Sequence, residues 1–322
     1  MMHAISVLMS TFNESEIEIK MAIESIINQD FNDFEFIIVN DNPKRKDLSE
    51  LLTQYCDKDS RIKIITNKKN IGLAMSLNKA AEVATSPYLL RMDADDISLP
   101  GRLRKQYEVI KTGRYDCICS GFEVIDSQGN KKDRKIRFYN SEDISRNLPF
   151  DNIIHHPTII MTKKIFEDVG GYRDFPCAQD YDLWLRFLAR GCVFYMIDEV
   201  LLQYRIRENS ITSTAKLKQK YTCEYIKLLY MKRLKEGDDK YLYSDYLVFM
   251  EKNKANDDIK KEKFIKHNLL LAKANKNIQN KRYIIGYILR LRVFLTSSVY
   301  RYGYLKKISM KRLLNRKTES RY

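Results

Sequence analysis

The sequence predicts an α/β protein, with a mostly parallel, Rossmann-like central sheet covered by helices on both faces and followed by a helical C-terminal region. Short apolar runs alternate with segments of helical periodicity through the first half of the chain. The apolar runs are nearly continuous, which is typical of strands covered on both faces. Near residue 215 the composition changes, and Lys, Tyr and Leu dominate from there on. We therefore expect one domain at residues 1–215 and a second at 216–322.

The predicted elements follow one another in a regular order. Strands are expected at Ala4–Met9, Phe34–Val39, Ile62–Ile65, Tyr88–Met92 and Cys117–Ile125. Helices are expected at Glu16–Asn28, Leu48–Cys56, Leu73–Ala84, from Pro100 to about Lys111, and at Gln179–Arg190. Strands that alternate with helices in this way pair in parallel through right-handed crossovers. Ligands of such sheets bind outside the carboxyl ends of the strands, so the functional site is expected there.

Polar residues follow three of these strands at the point where each strand ends. After the first, second and fourth strands, respectively, come the segments Ser10-Thr11-Phe12-Asn13, Asn40-Asp41-Asn42 and Asp93-Ala94-Asp95-Asp96. Because the carboxyl ends of parallel strands share one edge of a sheet, we expect these side chains to converge on a single site.

The acidic cluster at residues 93–96 is open to two interpretations. Two carboxylates at positions i and i+2 after a strand can share a divalent cation with a bound diphosphate, since Mg²⁺ and Mn²⁺ prefer oxygen ligands. Alternatively, the cluster solvates a turn, and Asp96 or Ser98 caps the following helix. Asp41 is equally open to a contact with a nucleobase or ribose, or to a turn beside Asn42 and Pro43.

Asp180 stands near the start of a predicted helix in which Trp184, Phe187 and Leu188 follow the spacing of a buried face. The helix dipole favours a carboxylate at this position, where it can also act as an N-cap. A carboxylate in a partly enclosed cleft can in addition act as a general base. The two roles are compatible, so Asp180 is a candidate catalytic residue.

The net charge of the 322-residue chain is +15, from 57 Lys and Arg against 42 Asp and Glu. This excess favours anionic partners, such as nucleic acid, acidic lipid or phosphorylated substrates. No apolar run approaches the roughly 20 residues of a membrane-spanning helix, and the N-terminus lacks the pattern of a signal peptide. Six scattered cysteines without metal-ligand spacing indicate a reducing compartment. We expect a cytoplasmic protein, either soluble or peripheral at the inner face of the cell membrane.

Five segments of the chain, in this order, resemble those of family 2 glycosyltransferases. They are Ser-Val-Leu-Met-Ser-Thr-Phe-Asn-Glu at 6–14, Phe-Glu-Phe-Ile-Ile-Val-Asn-Asp-Asn at 34–42, Asn-Ile-Gly-Leu-Ala at 70–74, Asp-Ala-Asp-Asp at 93–96 and Gln-Asp-Tyr-Asp-Leu-Trp-Leu-Arg at 179–186. The order and spacing of all five are specific, and the resemblance covers residues 4 to 212. It implies a GT-A fold, a nucleotide-diphospho-sugar donor and an inverting transfer.

The resemblance also implies roles for individual residues. Ser10, Phe12 and Asp41 would hold the nucleoside, with Phe12 placed against the base. Asp93 would contact the ribose or the metal shell, and Asp95 would bind Mn²⁺ or Mg²⁺ on the diphosphate. The donor would be a UDP-sugar and the acceptor a saccharide or lipid-linked saccharide, in the synthesis of capsule, O-antigen or exopolysaccharide.

Asp180 falls on the general base of the family, and two nearby positions depart from the family pattern. Gln179 replaces a usual Glu, which removes one negative charge and leaves the base in place. Arg207 stands where the family often has a histidine, and arginine grips phosphate but does not ligate a cation. His155 and His156, which precede a proline, either line the acceptor side or serve the structure.

The C-terminal region is basic and amphipathic. Residues 281–304 carry an apolar helical face made of Ile284, Ile288, Leu291 and Leu295. Lys and Arg dominate residues 306–317, and such a segment suits the surface of an anionic membrane. The alternative is a helical domain that packs its apolar stripe on the catalytic domain.

Three other functions compete with glycosyl transfer. A sugar-phosphate nucleotidyltransferase also combines an α/β sheet with Mg²⁺ and a nucleotide, but the sequence contains no Walker loop and no G-x-G-x-x-G segment. A nucleic-acid-binding protein would explain the charge, yet no nucleic-acid motif accompanies it, so we expect no nucleic-acid partner. A catalytically inactive scaffold is suggested by Gln179 and Arg207 alone.

Overall fold

The structure of the chain, a computed structural model, describes residues 3–132, 136–206 and 216–319. The chain divides into two compact units, residues 1–210 and 211–322. The first unit is α/β and the second is helical. The predicted fold class is therefore confirmed.

A nine-stranded sheet forms the centre of the first unit. Its strands are β1 (Ile5–Thr11), β2 (Phe34–Asn40), β3 (Ile62–Thr66), β4 (Tyr88–Asp93), β5 (Ile97–Ser98), β6 (Cys117–Ile125), β7 (Lys131–Lys132), β8 (Ile160–Thr162) and β9 (Phe194–Arg205). They are ordered β3-β2-β1-β4-β8-β6-β9-β5, and β7 pairs with β6. Strands β1 to β4 pair in parallel, as predicted. The second half of the sheet adds antiparallel pairs, because β8 runs against both β4 and β6.

The helices of the first unit lie between these strands. They are α1 (Glu16–Ile27), α2 (Lys46–Lys58), α3 (Leu73–Val83), α4 (Arg102–Ile110), α5 (Ser141–Asn147), α6 (Lys163–Asp168) and α7 (Gln179–Ala189), with a 3₁₀ turn at His156–Thr158. Every strand and helix expected from the sequence is present, with its bounds little changed. The short strands β5, β7 and β8 are additions that periodicity alone does not reveal.

Helix α1 shows how local sequence determines an element. The Ser15 side chain accepts a hydrogen bond from the N–H of Glu18, whose carboxylate accepts one from the N–H of Ser15 in return. This capping box satisfies donors that the start of a helix leaves unpaired. Ile19, Ile23 and Ile26 then recur on one face and are fully buried in the core around β1 and β2.

Strands β1 and β2 are buried along their whole length, which explains their continuous apolar character. Glu35 in β2 is the charged exception, and its carboxylate accepts hydrogen bonds from Ser6, Lys63 and Thr85. Burial alone would raise the pKa of Glu35, but these donors lower it to about 2, so the group stays ionised. Glu35 therefore ties β2 to its neighbours near the amino ends of the strands, away from the expected site.

The second unit contains α8 (Lys216–Glu236), α9 (Tyr243–Lys252), α10 (Asp258–Gln279), α11 (Tyr283–Thr296) and α12 (Ser298–Glu319). Helices α10 and α11 pack closely at Gly286, where a β-carbon would lie 2.4 Å from a side-chain atom of Ile278. On the predicted apolar face of α11, Ile284 is 77% exposed and Leu291 is 57% exposed. Within the described ranges, no helix combines the length and the apolar character that crossing a membrane requires.

Candidate functional site

The carboxyl ends of β1, β2 and β4 lie side by side at one edge of the sheet. In the strand register Ser10 is opposite Asp93, and Thr11 is opposite Asn40. The N–H of Asp41 donates to the carbonyl of Thr11 at 2.9 Å, which continues the pairing beyond β2. The fold thus brings together the polar strand ends that the sequence marks as a site.

Asp41 has a structural task at this edge. It is 2% exposed, and its carboxylate accepts hydrogen bonds from the Asn67 side chain at 2.8 Å and from the N–H groups of Ile71 and Gly72 at 2.9 Å. Gly72 has a φ of 82°, a left-handed conformation that favours glycine. Asp41 therefore holds the segment that leads into α3. A carboxylate can accept about four hydrogen bonds, and these three leave room for one more. A contact between Asp41 and a nucleoside is therefore still possible in this geometry, and it stays a prediction.

Phe12 stands just beyond β1 and is 38% exposed, so its ring is accessible to a ligand. Its backbone is held on both sides, because its N–H donates to the Glu14 carboxylate at 2.7 Å and its carbonyl accepts from the Asn42 side chain at 3.1 Å. Ser10 is 8% exposed at the end of the same strand. The positions of Ser10 and Phe12 are compatible with the nucleoside contacts predicted for them.

Asp93 ends β4 beside a buried cation. Its carboxylate, 26% exposed, pairs with the guanidinium of Arg91, which is 1% exposed. The carbonyl of Arg91 accepts a hydrogen bond at 2.7 Å from Arg102, whose guanidinium also donates to the carbonyl of Pro157 at 2.6 Å. Burial lowers the pKa of Arg102 to about 9, so it remains charged at neutral pH. Two buried arginines therefore lie behind the acidic turn and offset part of its negative charge.

The rest of the acidic turn is held by the last residue of β9. The N–H of Arg205 donates to the Asp96 carboxylate at 2.9 Å, and its guanidinium donates to the carbonyl of Asp95 at 2.8 Å. The same guanidinium donates to the carbonyls of Asp126 and Ser127 at 3.0 and 3.2 Å. Arg205 is 4% exposed, and it joins the acidic turn to the turn that follows β6.

The acidic turn has the donor set that a divalent cation needs. Asp96 is fully buried, and burial together with the negative charges of Asp93 and Asp95 raises its pKa well above the usual range. Its Oδ2 atom is buried without a hydrogen-bond partner. No group of three or more His, Cys, Asp or Glu side chains in the described segments is arranged to hold a metal ion. The turn nevertheless fits Mg²⁺ or Mn²⁺, since such ions are commonly bound by one or two carboxylates together with substrate phosphates.

Asp180, the second residue of α7, is half-buried. Its carboxylate accepts a hydrogen bond from the side chain of Asn152 at 2.8 Å. Burial raises the pKa of Asp180 and the charge of Asp93 adds to the rise, whereas the bond from Asn152 opposes it. The charge of Asp93 is felt at Asp180, and charges interact strongly only over short distances in a partly solvated site, which indicates that the two carboxylates lie near one another.

Tyr204 of β9 borders both acidic groups. Its ring packs edge-on against the rings of Phe122 and His155, with centroids 5.8 and 5.3 Å away. Burial raises the pKa of its hydroxyl, and the negative charges of the acidic turn and of Asp180 raise it further. The Tyr204 hydroxyl therefore stays neutral at physiological pH.

The two adjacent histidines have different surroundings. The Nε2 atom of His156 lies 2.6 Å from the hydroxyl of Tyr172. Burial lowers the pKa of His156 well below its usual value and the charge of Arg91 contributes, so His156 is a neutral, structural residue. The His155 ring instead packs against the Phe122 ring, tilted by 48° with centroids 3.8 Å apart, and His155 lines a cavity of about 210 Å³. His156 thus fits the structural interpretation, whereas an acceptor-side role for His155 stays a prediction.

Two residues that contact the candidate site carry little signal in the sequence. Asn152, which contacts Asp180, lies in a segment without strand or helix periodicity. In the sequence Arg205 stands out only as part of a Tyr-Arg pair. Its contact with Asp96 joins positions that are 109 residues apart, which no local pattern predicts. Of the two departures from the family pattern, Gln179 is the half-buried first residue of α7. Arg207 lies outside the described residues.

Comparison with known proteins identifies related sequences. Residues 6–170 match the sequence model of the family described as Glycosyl transferase family 2, a span that contains the acidic turn and ends before Asp180. The chain is 39% identical over 218 residues to the uncharacterized glycosyltransferase MJ1057 of Methanocaldococcus jannaschii, and the alignment covers 66% of this chain and 75% of the relative. It is 33% identical over 214 residues to the O-antigen biosynthesis glycosyltransferase WbnJ of Escherichia coli, covering 66% of this chain and 83% of WbnJ.

Comparison with solved structures supports the fold. A crystal structure of S. aureus TarS 1-349 in complex with UDP-GlcNAc superposes with a TM-score of 0.58 at 18% sequence identity, covering 71% of this chain and 66% of the TarS chain. A complex of the same TarS chain with UDP superposes with a TM-score of 0.55. At this level of identity the likeness concerns the fold, which is of the GT-A kind.

Proposed function

Because the chain belongs to glycosyltransferase family 2, we propose that it transfers a sugar from a nucleotide-diphospho-sugar to a saccharide or lipid-linked saccharide. The observation that carries this proposal is the occurrence together of the acidic turn 93–96 and Asp180, whose pKa is raised by burial, with a smaller contribution from the charge of Asp93. The turn suits a diphosphate with its cation, and Asp180 suits an acceptor hydroxyl. We assign the catalytic domain to residues 1–215.

The donor is a UDP-sugar in this proposal. The fold is shared with a TarS structure that binds UDP-GlcNAc, and the polar ends of β1 and β2 supply groups for a nucleoside. The exposed ring of Phe12 stacks on the base, while Ser10 and Asp41 hydrogen-bond to the nucleoside. Asp93 contacts the ribose or the outer shell of the metal.

Enzymes of this family generally use a divalent metal ion, and we assign Asp95 as its ligand, with Mn²⁺ or Mg²⁺ as the ion. When bound, the ion neutralises charge on the departing diphosphate. The neighbouring residues have supporting tasks: Arg205 holds the backbone of Asp95, and Arg91 orients Asp93 through their ion pair. The turn is thus held in shape before any substrate arrives.

Asp180 takes the proton of the acceptor hydroxyl as that oxygen bonds to the anomeric carbon and the bond from this carbon to the diphosphate breaks. Its raised pKa makes it a better proton acceptor than an ordinary aspartate. A single in-line displacement inverts the anomeric carbon, so an α-linked donor gives a β-linked product. Gln179 alters the charge beside the base and leaves the Asp180 carboxylate intact.

A donor screen with the purified full-length chain tests this function. We expect release of UDP from a UDP-sugar that depends on Mn²⁺ or Mg²⁺, and a product of inverted configuration by NMR when an acceptor is supplied. Release of pyrophosphate would indicate a nucleotidyltransferase, and donor binding without turnover over a broad acceptor panel would indicate an inactive scaffold. The proposal would be contradicted if UDP-, GDP- and dTDP-sugars neither stabilised the chain against unfolding nor were turned over by it.

We also place the enzyme on the cytoplasmic surface of an anionic membrane, where lipid-linked acceptors of surface-polysaccharide synthesis are met. The relative WbnJ acts in O-antigen biosynthesis, which supports such a setting. The physical support is the apolar face of α11, on which Ile284, Ile288 and Leu295 are 77, 60 and 61% exposed. Lysines and arginines dominate the segment that follows, and they attract acidic lipid headgroups at about 1 kcal/mol each.

Flotation with lipid vesicles tests the membrane contact. We expect the full chain to bind vesicles that contain phosphatidylserine, and to bind less in high salt, because the attraction is partly electrostatic. The triple variant Ile284→Gln, Ile288→Gln, Leu291→Gln should bind at least about tenfold more weakly, since each side chain contributes roughly 1.5 kcal/mol or more on burial. Ile17→Gln, at a 71% exposed position of the first unit, is the control and should bind normally. Unchanged binding of the triple variant would exclude α11 as the contact.

A further inference from the structure

A cavity of about 210 Å³ lies in the first unit beside the candidate base. Asn152 lines the cavity, and its side chain donates the hydrogen bond to Asp180 at 2.8 Å. A group bound in the cavity is therefore separated from the base by a single side chain. This volume is below the roughly 300–1,000 Å³ of pockets that enclose drug-sized ligands, so the cavity suits a single sugar ring and not an extended oligosaccharide.

The walls of the cavity have the chemistry of a sugar site. Phe122 and Tyr139 supply aromatic surface, and Met196 adds an apolar patch. Sugar rings present apolar C–H groups on their faces and hydroxyls at their edges, so they need both kinds of wall. Ser120 and Asn152 supply polar groups beside this apolar surface, and such groups orient a ligand in a binding pocket.

Residues 136–139 lie at the cavity because a glycine in β6 leaves space for them. A β-carbon at Gly121 would lie 2.7 Å from the ring of Phe138 and 3.0 Å from the carbonyl of Glu199. The absence of a side chain at Gly121 lets Phe138 lie against β6. The residues on either side of Phe138, Arg137 and Tyr139, both line the cavity.

Arg137 differs from the other cations near this cavity. Lys131 pairs with Glu123 at 3.0 Å, and Lys132 pairs with Asp126 at 2.9 Å. Arg137 is exposed at the surface of the cavity, and no carboxylate of the described segments lies within ion-pair distance of its guanidinium. A guanidinium that faces a pocket without a protein partner can bind a carboxylate or phosphate through its planar fork.

We propose that this cavity is the acceptor subsite and that it takes one sugar ring bearing an acidic group, which pairs with Arg137. The inference rests on the proposed function and specifies its acceptor class. The aspartates of the acidic turn and Asp180 repel an anionic acceptor, and a cation in the cavity wall offsets that repulsion. The acidic group is a carboxylate, as in a uronic acid, or a phosphate, as in a sugar phosphate.

The test compares three sugars that differ only in the group at C6, which is neutral in the first and anionic in the other two: methyl β-D-glucoside, methyl β-D-glucuronide and methyl β-D-glucoside 6-phosphate. Their binding to the full-length chain with UDP and Mn²⁺ is measured by saturation-transfer NMR titration. We expect at least one anionic sugar to bind about fivefold to tenfold more tightly than the neutral one. The better of the two anionic sugars identifies carboxylate or phosphate as the acidic group.

Arg137→Gln should abolish the preference for the anionic sugar and leave UDP binding unchanged. Lys132→Gln removes one positive charge five residues away in the chain, at a residue that is paired with Asp126, and it should keep the preference. Equal binding of all three sugars, absence of binding by any of them, or a preference that survives Arg137→Gln would overturn the inference. UDP release from a donor is measured on the same samples, so its absence would count against the proposed function while the sugar preference is judged separately.

Discussion

Replacing Asp180 with Asn is expected to lower kcat by about 10²-fold to 10⁴-fold, the contribution typical of general base catalysis. Asn has nearly the same size and can still contact Asn152, so the fold around α7 should persist, but the amide does not accept the acceptor's proton. Donor binding should remain, because Asp180 is not among the residues that hold the nucleotide. Steady-state kinetics and calorimetric titration with UDP measure the two quantities separately.

Asp151→Asn provides the matched control for this substitution. Asp151 is the exposed neighbour of Asn152, so the same charge is removed close to the site without touching the base. Its kcat should stay near that of the wild type. Near-native transfer by Asp180→Asn would remove Asp180 from the role of base, whereas loss of UDP binding in that variant would point to a structural role.

The pH dependence of kcat/KM reports on the same group. Asp180 must be ionised to accept a proton, so activity should rise with pH through its pKa, and its raised pKa puts this limb at higher pH than an ordinary aspartate would. Asn152→Ala removes a hydrogen bond that favours the ionised form and should move the limb to higher pH still. A limb that stays in place in Asn152→Ala would show that another group controls it.

Asp95→Asn is expected to lower metal-dependent turnover by more than about 100-fold, since the loss of an outer-shell partner of a metal already costs about 10-fold to 100-fold. The backbone of Asp95 is held by Arg205 through its carbonyl, so the turn should keep its shape when only the carboxylate is changed. Titrations of activity against Mn²⁺ and Mg²⁺ should show a higher half-saturating concentration for the variant.

Asp57→Asn, at an exposed position of α2, serves as the control for Asp95 and should leave both metal titrations unchanged. Thermal unfolding of all variants separates a damaged fold from a damaged site. If Asp95→Asn retains the wild-type metal titration and turnover, the cation is not held by this residue, and Asp93 becomes the next carboxylate to test.

The strands and helices of the first unit were predictable because their signals are local. Continuous apolar runs identify buried strands, and the Ser15 and Glu18 pair marks the start of α1. The bounds of β6 agree with prediction at both ends, Cys117 and Ile125. The common edge of β1, β2 and β4 also followed, since parallel strands joined by helical crossovers must end on the same side.

The details of the site depend on contacts that no local pattern encodes. The antiparallel pairing of β5 with β9 brings Arg205 to Asp96, and only tertiary packing determines which distant strand becomes a neighbour. Asp41 illustrates a second limit, because the sequence left its role open and the fold engages its carboxylate with the loop before α3. The contact of Asn152 with Asp180 likewise joins two segments through space.

The sequence by itself determined the α/β class, the helical second unit, the order of the elements and the edge at which Asp93, Asp95 and Asp41 gather. The elements follow from hydrophobic periodicity, which is a local signal of a few residues. The common edge follows from the general rule that parallel strands joined by crossovers end on the same side of a sheet. The tertiary structure alone decided which carboxylates are buried, which cations lie behind them and what lines the cavity beside Asp180. Burial and charge pairing depend on the whole packed environment, so they arise only once distant segments are in contact.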